Sequence, residues 1–285
     1  MAKKFQKKDL LNLWLPNPDS QGEDNGQITI IGGSRLFHGA PFFSLLAASR
    51  VVDMVFFSSP EPIIEKLAVN LKSKLFSFIW VPWDEVEHYI KKSDSILIGP
   101  GFMRYSSEKK KIRGLDQEGL KTHQITKYFL KKYKHKKWVV DAGSLQVIKP
   151  DVLPKGCIIT PNKKEFLDLF NLEKIGNTEK TVEKLAKKHS ITISFKAPVS
   201  VVSDGEETVL VGNGNPGLTK GGTGDTLAGL TTAFFAKNSP LLSASCASFV
   251  VKKTAEFLEE KVGIYFNADD LAGNIFEALQ RLKFN

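Results

Sequence analysis

Short apolar runs alternate with longer amphipathic ones along most of the chain, and this alternation sets the expected elements. QITIIGG (27–33) reads as a strand closed by a glycine turn, with Pro41 opening a helix through FFSLLAASRVV. MVFFSS (54–59) reads as a strand, IEKLAVNLKSK (64–74) as a helix, FSFIWV (76–81) as a strand and DEVEHYIKK (84–92) as a helix. DSILIGPG (94–101) is a strand ending in Gly-Pro-Gly, and a loop over 102–118 leads to a helix at 119–134. KWVVDAG (137–143) and CIITPN (157–162) are strands, the second stopped by Pro161 and followed by the helix KEFLDLF. Residues 178–189 are amphipathic, with Leu185 and Ala186 on the apolar face. The texture then changes. Three strands follow closely at 191–198, 199–205 and 207–214, the last two joined by the hairpin signal SDGEE, and the remainder is helical at 224–236, 241–261 and 268–282.

Strand–helix alternation of this kind predicts an α/β fold with a largely parallel sheet covered by helices on both faces. No Pro/Ser/Gly linker and no repeat divides the chain, so 1–285 is expected to be one domain, with 1–27 as an N-terminal extension or first helix. No run of about 18 apolar residues is present, so no membrane partner is expected. The N-terminus has positive charge without an apolar segment ending in small residues and does not read as a secretory signal. Cys157 and Cys246, each in apolar context, fit buried thiols of a cytoplasmic protein.

Lys plus Arg is 40 against 31 Asp plus Glu, a formal charge of +9. The excess clusters at Lys3 to Lys8, Lys109 to Arg113 and Lys131 to Lys137, with little aromatic interleaving. A solvated surface accounts for these clusters, and without a zinc-finger or RNP-type motif no nucleic-acid partner is expected.

The distinctive residues fall at strand ends, where open parallel sheets bind ligands. These are Gly32–Gly33–Ser34, Gly99–Pro100–Gly101, Asp141, Thr160–Pro161–Asn162 and the stretch NPGLTKGGTGDTLAGL (215–230). In the last, Gly221, Gly222 and Gly224 let successive backbone N–H groups, with that of Thr223, converge on one anion at the start of a helix. Asp225 in that first turn suits a base that takes the proton of an attacking hydroxyl, or merely complements the helix dipole. GNGNPG (212–217) formally matches the dinucleotide fingerprint, but Pro216 and the glycines after it delay the helix that the fingerprint requires. Lys196 stands at a strand end, within reach of phosphates or of solvent. Asp141 suits a metal or water near the site, or the cap of a short helix. Asn162 suits a ligand contact, or an N-cap paired with Glu165. His38, His88, His123, His135 and His189 have no metal-ligand spacing, and no metal-ligating residues are assigned.

GGSRLFHGAPFFSLLAASR, IGPGF, VVDAGSL, IITPNKKEF and NPGLTKGGTGDTLAGL occur in the order found in the NAD(P)H-hydrate dehydratases, and the chain resembles that family from about Gly32 to its C-terminus. The resemblance implies a ribokinase-like three-layer sandwich and an ADP- or ATP-dependent dehydration of (6S)-NAD(P)HX to NAD(P)H. The C6 hydroxyl would be phosphorylated and phosphate eliminated. It implies Asp225 as the base; Ala40, Gly101, Asn162 and Asp225 at the hydrated cofactor; and Lys196, Ala197, Pro198, Val199, Ser200 and Gly224 at the adenosine nucleotide. Mg²⁺ with the phosphates, a homo-oligomer and a separate epimerase chain, rather than a fused epimerase domain, are implied likewise. Many bacterial relatives carry His where Asn162 stands, Gly where Ala197 stands, and DADAL where this chain has DAGSL. GGTGD is shared with ribokinase-like kinases of vitamin precursors such as hydroxymethyl-pyrimidine or hydroxyethyl-thiazole, which is the alternative reading.

Overall fold

The structure, a computed structural model, describes residues 2–71, 75–105 and 116–282. Its framework is one ten-stranded sheet. The strands are β1 (Lys3–Lys4), β2 (Gln27–Ile31), β3 (Met54–Ser58), β4 (Ile79–Trp80), β5 (Ser95–Ile98), β6 (Lys137–Val140), β7 (Ile158–Ile159), β8 (Thr192–Phe195), β9 (Ser200–Ser203) and β10 (Thr208–Val211). Their order is β1-β10-β9-β8-β7-β6-β5-β2-β3-β4. Every neighbouring pair is parallel except β8·β9 and β9·β10, so β9 alone runs against the rest. The helices are α1 (Gly39–Ala48), α2 (Pro62–Leu71), α3 (Val86–Lys92), α4 (Gln117–Lys132), α5 (Ala142–Val147), α6 (Lys163–Phe170), α7 (Thr178–His189), α8 (Thr223–Lys237), α9 (Pro240–Val262), α10 (Ala268–Gly273) and α11 (Ile275–Leu282).

Side chains of a strand point alternately to opposite faces, and both faces here are apolar. Ile28, Ile30, Leu97, Val139 and Ile158 pack into one core with Leu45 of α1, Leu230 of α8, Val250 of α9 and Leu271 of α10. Ile31, Ile96, Ile98, Val140 and Ile159 pack into a second core with Ile90 of α3, Phe129 of α4, Phe166 of α6 and Val182 of α7. The result is the expected three layers. Within the first, α8 is buried along its whole length from Thr226 to Ala236, and a helix apolar all round belongs inside a domain. The hydroxyls of Thr231 and Thr232 are satisfied by Leu227 O (2.7 Å) and Ala228 O (2.8 Å) one turn back.

Several expectations need correction. The 1–27 segment carries a strand as well as a short helix: β1 pairs with β10, Phe5 N–H donates to Leu210 O (2.9 Å), and a 3-10 helix over Lys7–Asn12 buries Leu10 in the core. Helix α1 begins two residues before Pro41. FSFIWV contracts to the two-residue strand β4 at the sheet edge, with Phe76 largely exposed. The helix expected at 268–282 breaks at Asn274, which caps α10 with φ −103° and ψ 7° while its N–H (3.0 Å) and Nδ2 (2.8 Å) both donate to Asp270 O. Lys136 and Lys137 are half-buried rather than fully solvated. Lys137 Nζ caps the end of α8 at Phe235 O (3.0 Å) and Ala236 O (3.1 Å), where a cation suits the helix dipole. The Lys109–Arg113 cluster, most of the 102–118 loop and the 72–74 end of the second expected helix lie outside the described residues.

Candidate active site

The strand ends meet as a continuous rim. Gly33 N–H donates to Pro100 O (2.8 Å), Asp141 N–H to Ile98 O (3.1 Å), Thr160 N–H to Val140 O (3.3 Å) and Lys196 N–H to Pro161 O (2.9 Å). The strand order reverses between β2 and β5, and the crevice that opens at such a point is where open α/β sheets take ligands. Gly101 lies at that crevice, against Phe37 O and Pro41.

Asp225 sits one turn into α8, whose N-cap Gly222 has φ +96°. A side chain at Gly222 would meet Phe43 of α1 and Ala268 of α10, so the backbone there fits only glycine. Thr223 uses its hydroxyl inside the loop, on Leu218 O (2.7 Å) and Lys220 O (2.8 Å), and its N–H is turned to Lys220 O (3.4 Å). It is thus withdrawn from the expected anion hole. The N–H groups of Gly221, Gly222 and Gly224 have no protein acceptor among the described residues. The backbone of Asp225 is fixed from behind by Ser44 of α1, whose hydroxyl donates to Asp225 O (2.8 Å).

The charges around Asp225 form one cluster. Lys196 Nζ lies 3.0 Å from Asp141 Oδ1 and 3.9 Å from Glu165 Oε2. Burial would lower the lysine pKa, but the carboxylates of Asp141 and Glu165 outweigh it and hold Lys196 protonated above its ordinary range. Asp225 responds oppositely: burial, with the Asp141 charge added, pushes its pKa up to about 7 against the pull of Lys196. Burial raises Glu165 as well, and Lys196 opposes it. Gly224 belongs to the same cluster, because a Cβ there would stand 3.1 Å from Lys196 Nζ.

The two open alternatives resolve in different ways. Asp141 occupies the N-cap position of α5 but its side chain makes no capping bond; it is 1% exposed and holds Lys196 instead. Asn162 is a true cap: its Oδ1 accepts from Glu165 N–H (3.0 Å) and Glu165 Oε2 accepts from Asn162 N–H (2.9 Å). Asn162 is nonetheless exposed to the same cavity.

That cavity, of about 880 Å³, lies over the glycine turn. Its walls are the whole expected nucleotide segment from Lys196 to Ser200, the loop from Asn213 to Gly224, and Ser248, Val251 and Lys252 of α9. Asn162 and Asp225 reach it; Ala40 and Gly101 do not line it. Gly101 lies instead against Phe37 O and Pro41, and α1, the helix that carries Ala40, also reaches Gly222 through Phe43. GNGNPG leads into a 3-10 turn at Pro216–Thr219, and α8 opens only at Thr223, so it is no dinucleotide turn. Ser44, Glu165 in its charged role, and Lys252 were not anticipated. The one visible signal for Lys252 is a lysine inside the apolar stretch SASCASFVVKKTAEF. Burial lowers its pKa to about 8, with Glu256 opposing.

The family model described as NAD(P)H-hydrate dehydratase matches residues 28–277. The chain is 32% identical to an ADP-dependent (S)-NAD(P)H-hydrate dehydratase of Cenarchaeum symbiosum, covering 95% of each chain. It is 31% identical to a bifunctional NAD(P)H-hydrate repair enzyme of Methanocaldococcus jannaschii, over 95% of this chain and 52% of that one, so it spans about half the length of such bifunctional relatives. Among solved structures, an ADP/ATP-dependent NAD(P)H-hydrate dehydratase from Bacillus subtilis, co-crystallized with ATP/Mg²⁺, superposes with a TM-score of 0.78 at 17% identity, over 99% of both chains. That likeness shows the fold, the ribokinase-like α/β sandwich with a mostly parallel sheet.

Proposed function

The chain belongs to the NAD(P)H-hydrate dehydratase family, and from that membership we propose that it removes water from (6S)-NAD(P)HX at the cost of one phosphoryl group of ADP or ATP. The observation that carries the reading is the juxtaposition of Asp225 with the glycine N–H groups at the start of α8, above a cavity large enough for a nucleotide. Phosphoryl transfer asks the protein for positioning and charge stabilisation rather than covalent chemistry.

In this reading the nucleotide lies along Lys196 to Ser200, with its transferring phosphoryl at Gly221, Gly222 and Gly224. The hydrated nicotinamide enters by the crevice at Ala40 and Gly101, with Asn162 and Asp225 on its path. Asp225 takes the proton of the C6 hydroxyl as the oxygen attacks phosphorus and the terminal P–O bond of the nucleotide breaks. A base with a pKa near 7 is charged often enough to act and basic enough to accept the proton. The phosphate ester then leaves as phosphate, driven by the ring nitrogen, with loss of a proton from the adjacent ring carbon, and NAD(P)H is restored. Lys196, held protonated, balances the phosphate charge that builds beside Gly224.

Among the described residues no group of His, Cys, Asp or Glu side chains is placed to hold a metal alone. A magnesium ion that arrives with the phosphates needs no such cluster and is commonly bound through one or two carboxylates. Asp141, which lines the cavity beside Lys196, is the carboxylate that would hold it, and bound there it would neutralise phosphate oxygens. A separate epimerase chain, a homo-oligomeric state and a cytoplasmic setting complete the proposal; both cysteines are free and buried, as reduced thiols would be.

The test is direct. Purified protein mixed with hydrated NADH and ADP or ATP should restore NADH absorbance. Failure with both nucleotides, together with phosphorylation of a hydroxymethyl-pyrimidine or hydroxyethyl-thiazole, would establish the kinase alternative instead.

A further inference from the structure

Lys252 is a lysine on the buried side of α9, 5% exposed, among residues such as Ser248, Val251 and Ala255. Burying an ammonium costs several kcal/mol unless its protons are satisfied. Here each N–H has an acceptor, and the acceptors come from two different loops. Ala197 O (3.1 Å) and Pro198 O belong to the β8–β9 turn, and Asn213 O (3.2 Å) to the segment leaving β10. Both loops line the 880 Å³ cavity, and they meet at this ammonium. The second wall is tied to the same helix one turn on, where Glu256 accepts from Gly214 N–H (2.9 Å) and Ala255 O from Asn215 Nδ2 (2.8 Å). The Lys252 stem also sets the position of Gly214, at which a Cβ would stand 3.1 Å from Lys252 Cγ.

We propose that Lys252 is a positioning residue for the nucleotide: its ammonium clamps the two walls at the separation that admits an adenosine nucleotide, without itself taking part in the chemistry. The inference rests on the reading that this cavity takes ADP or ATP. A methionine would fill the same volume and need no acceptor, but it would take their ammonium partner from Pro198 O and Asn213 O and leave Ala197 O only the Ser200 hydroxyl (3.2 Å), so the tie between the two loops would be lost. The clamp is also apart from the Asp225 cluster. Lys252 faces carbonyls and Glu256 of its own helix, whereas Lys196 faces Asp141 and Glu165.

The experiment measures ADP and ATP affinity by calorimetry, and KM and kcat with hydrated NADH, for the wild type, Lys252→Met and Lys252→Gln. Thermal unfolding of each serves as the folding control. The expected result is nucleotide Kd and KM raised about tenfold or more in Lys252→Met, and less in Lys252→Gln, which keeps two N–H donors. The KM for hydrated NADH and the kcat at saturating nucleotide should stay within about threefold. A wild type that binds neither nucleotide overturns the nucleotide reading of the cavity itself. A wild type that binds, beside folded variants that bind equally well, overturns only the part given to Lys252. Loss of folding in both variants also overturns it, since Lys252 would then hold the fold rather than the pocket.

Discussion

The Asp225 carboxyl keeps its proton over a range in which an unfolded chain would have lost it, between its ordinary value of 3.8 and about 7. The raised value fixes the sign of the linkage. As pH climbs through this window the unfolded state gives up the proton first, so the contribution of Asp225 to stability falls and stays low above pH 7. Asp225→Asn should therefore raise the melting temperature at pH 8 by a few degrees, and leave it nearly unchanged at pH 4. The same variant should lose turnover by about 10²- to 10⁴-fold while ADP still binds, a loss of the size expected for removing a general base. Full turnover in Asp225→Asn would falsify the base assignment. Its neighbours should move the acid limb of kcat/KM in opposite directions: Lys196→Met to higher pH, because the lysine holds Asp225 down, and Asp141→Asn to lower pH. A limb that stays in place in both would break the link between this cluster and the base. Asp225 and its glycines could be read from spacing, because three glycines in four positions exceed what a helix cap needs. Glu165 could be read only as a cap, since nothing along the chain announces that Lys196 folds back onto it.

The close approach of α1 and α8 places the base. Gly229 lies against Ser44, and a Cβ there would stand 2.3 Å from Ser44 O, in the segment whose hydroxyl holds the Asp225 carbonyl. Gly229→Ala should push the helices apart at a destabilisation of about 1–3 kcal/mol, read by urea titration. It should lower kcat more than it raises the nucleotide KM, because the base shifts while the cavity walls do not. Equal activity at normal stability would show that the helix spacing is not critical. Elements with a strong apolar signal were legible: 178–189 matches α7, and most strands stand within the expected ranges. The exceptions have local causes. At β4 only two residues pair at a sheet edge, with Phe76 and Ile79 exposed and Phe78 turned into the core, and at Asn274 the backbone leaves helical geometry (φ −103°, ψ 7°), so periodicity alone carries on past the true end.

For the molecule as a whole, the decisive asymmetry is the sheet edge closed by the N-terminal segment. Beyond the β-pairing, Phe5 packs on Phe249 of α9 at 5.0 Å between ring centroids, and Leu10 and Leu13 join the core. Deleting residues 2–13 should lower the melting temperature by several degrees and promote association through the uncovered β10 edge, detectable by light scattering. A truncated chain as stable and monodisperse as the full one would reduce this segment to decoration. The three-layer plan was readable because alternation of strand and helix leaves few topologies. The N-terminal strand was not, because two lysines carry no strand signal and their partner stands about two hundred residues away. That distance has a consequence during synthesis. Within this sheet the earliest strand made pairs with the latest, so its lysines stay in solvent until nearly the whole sheet exists, and their charge keeps the waiting segment from joining another nascent chain.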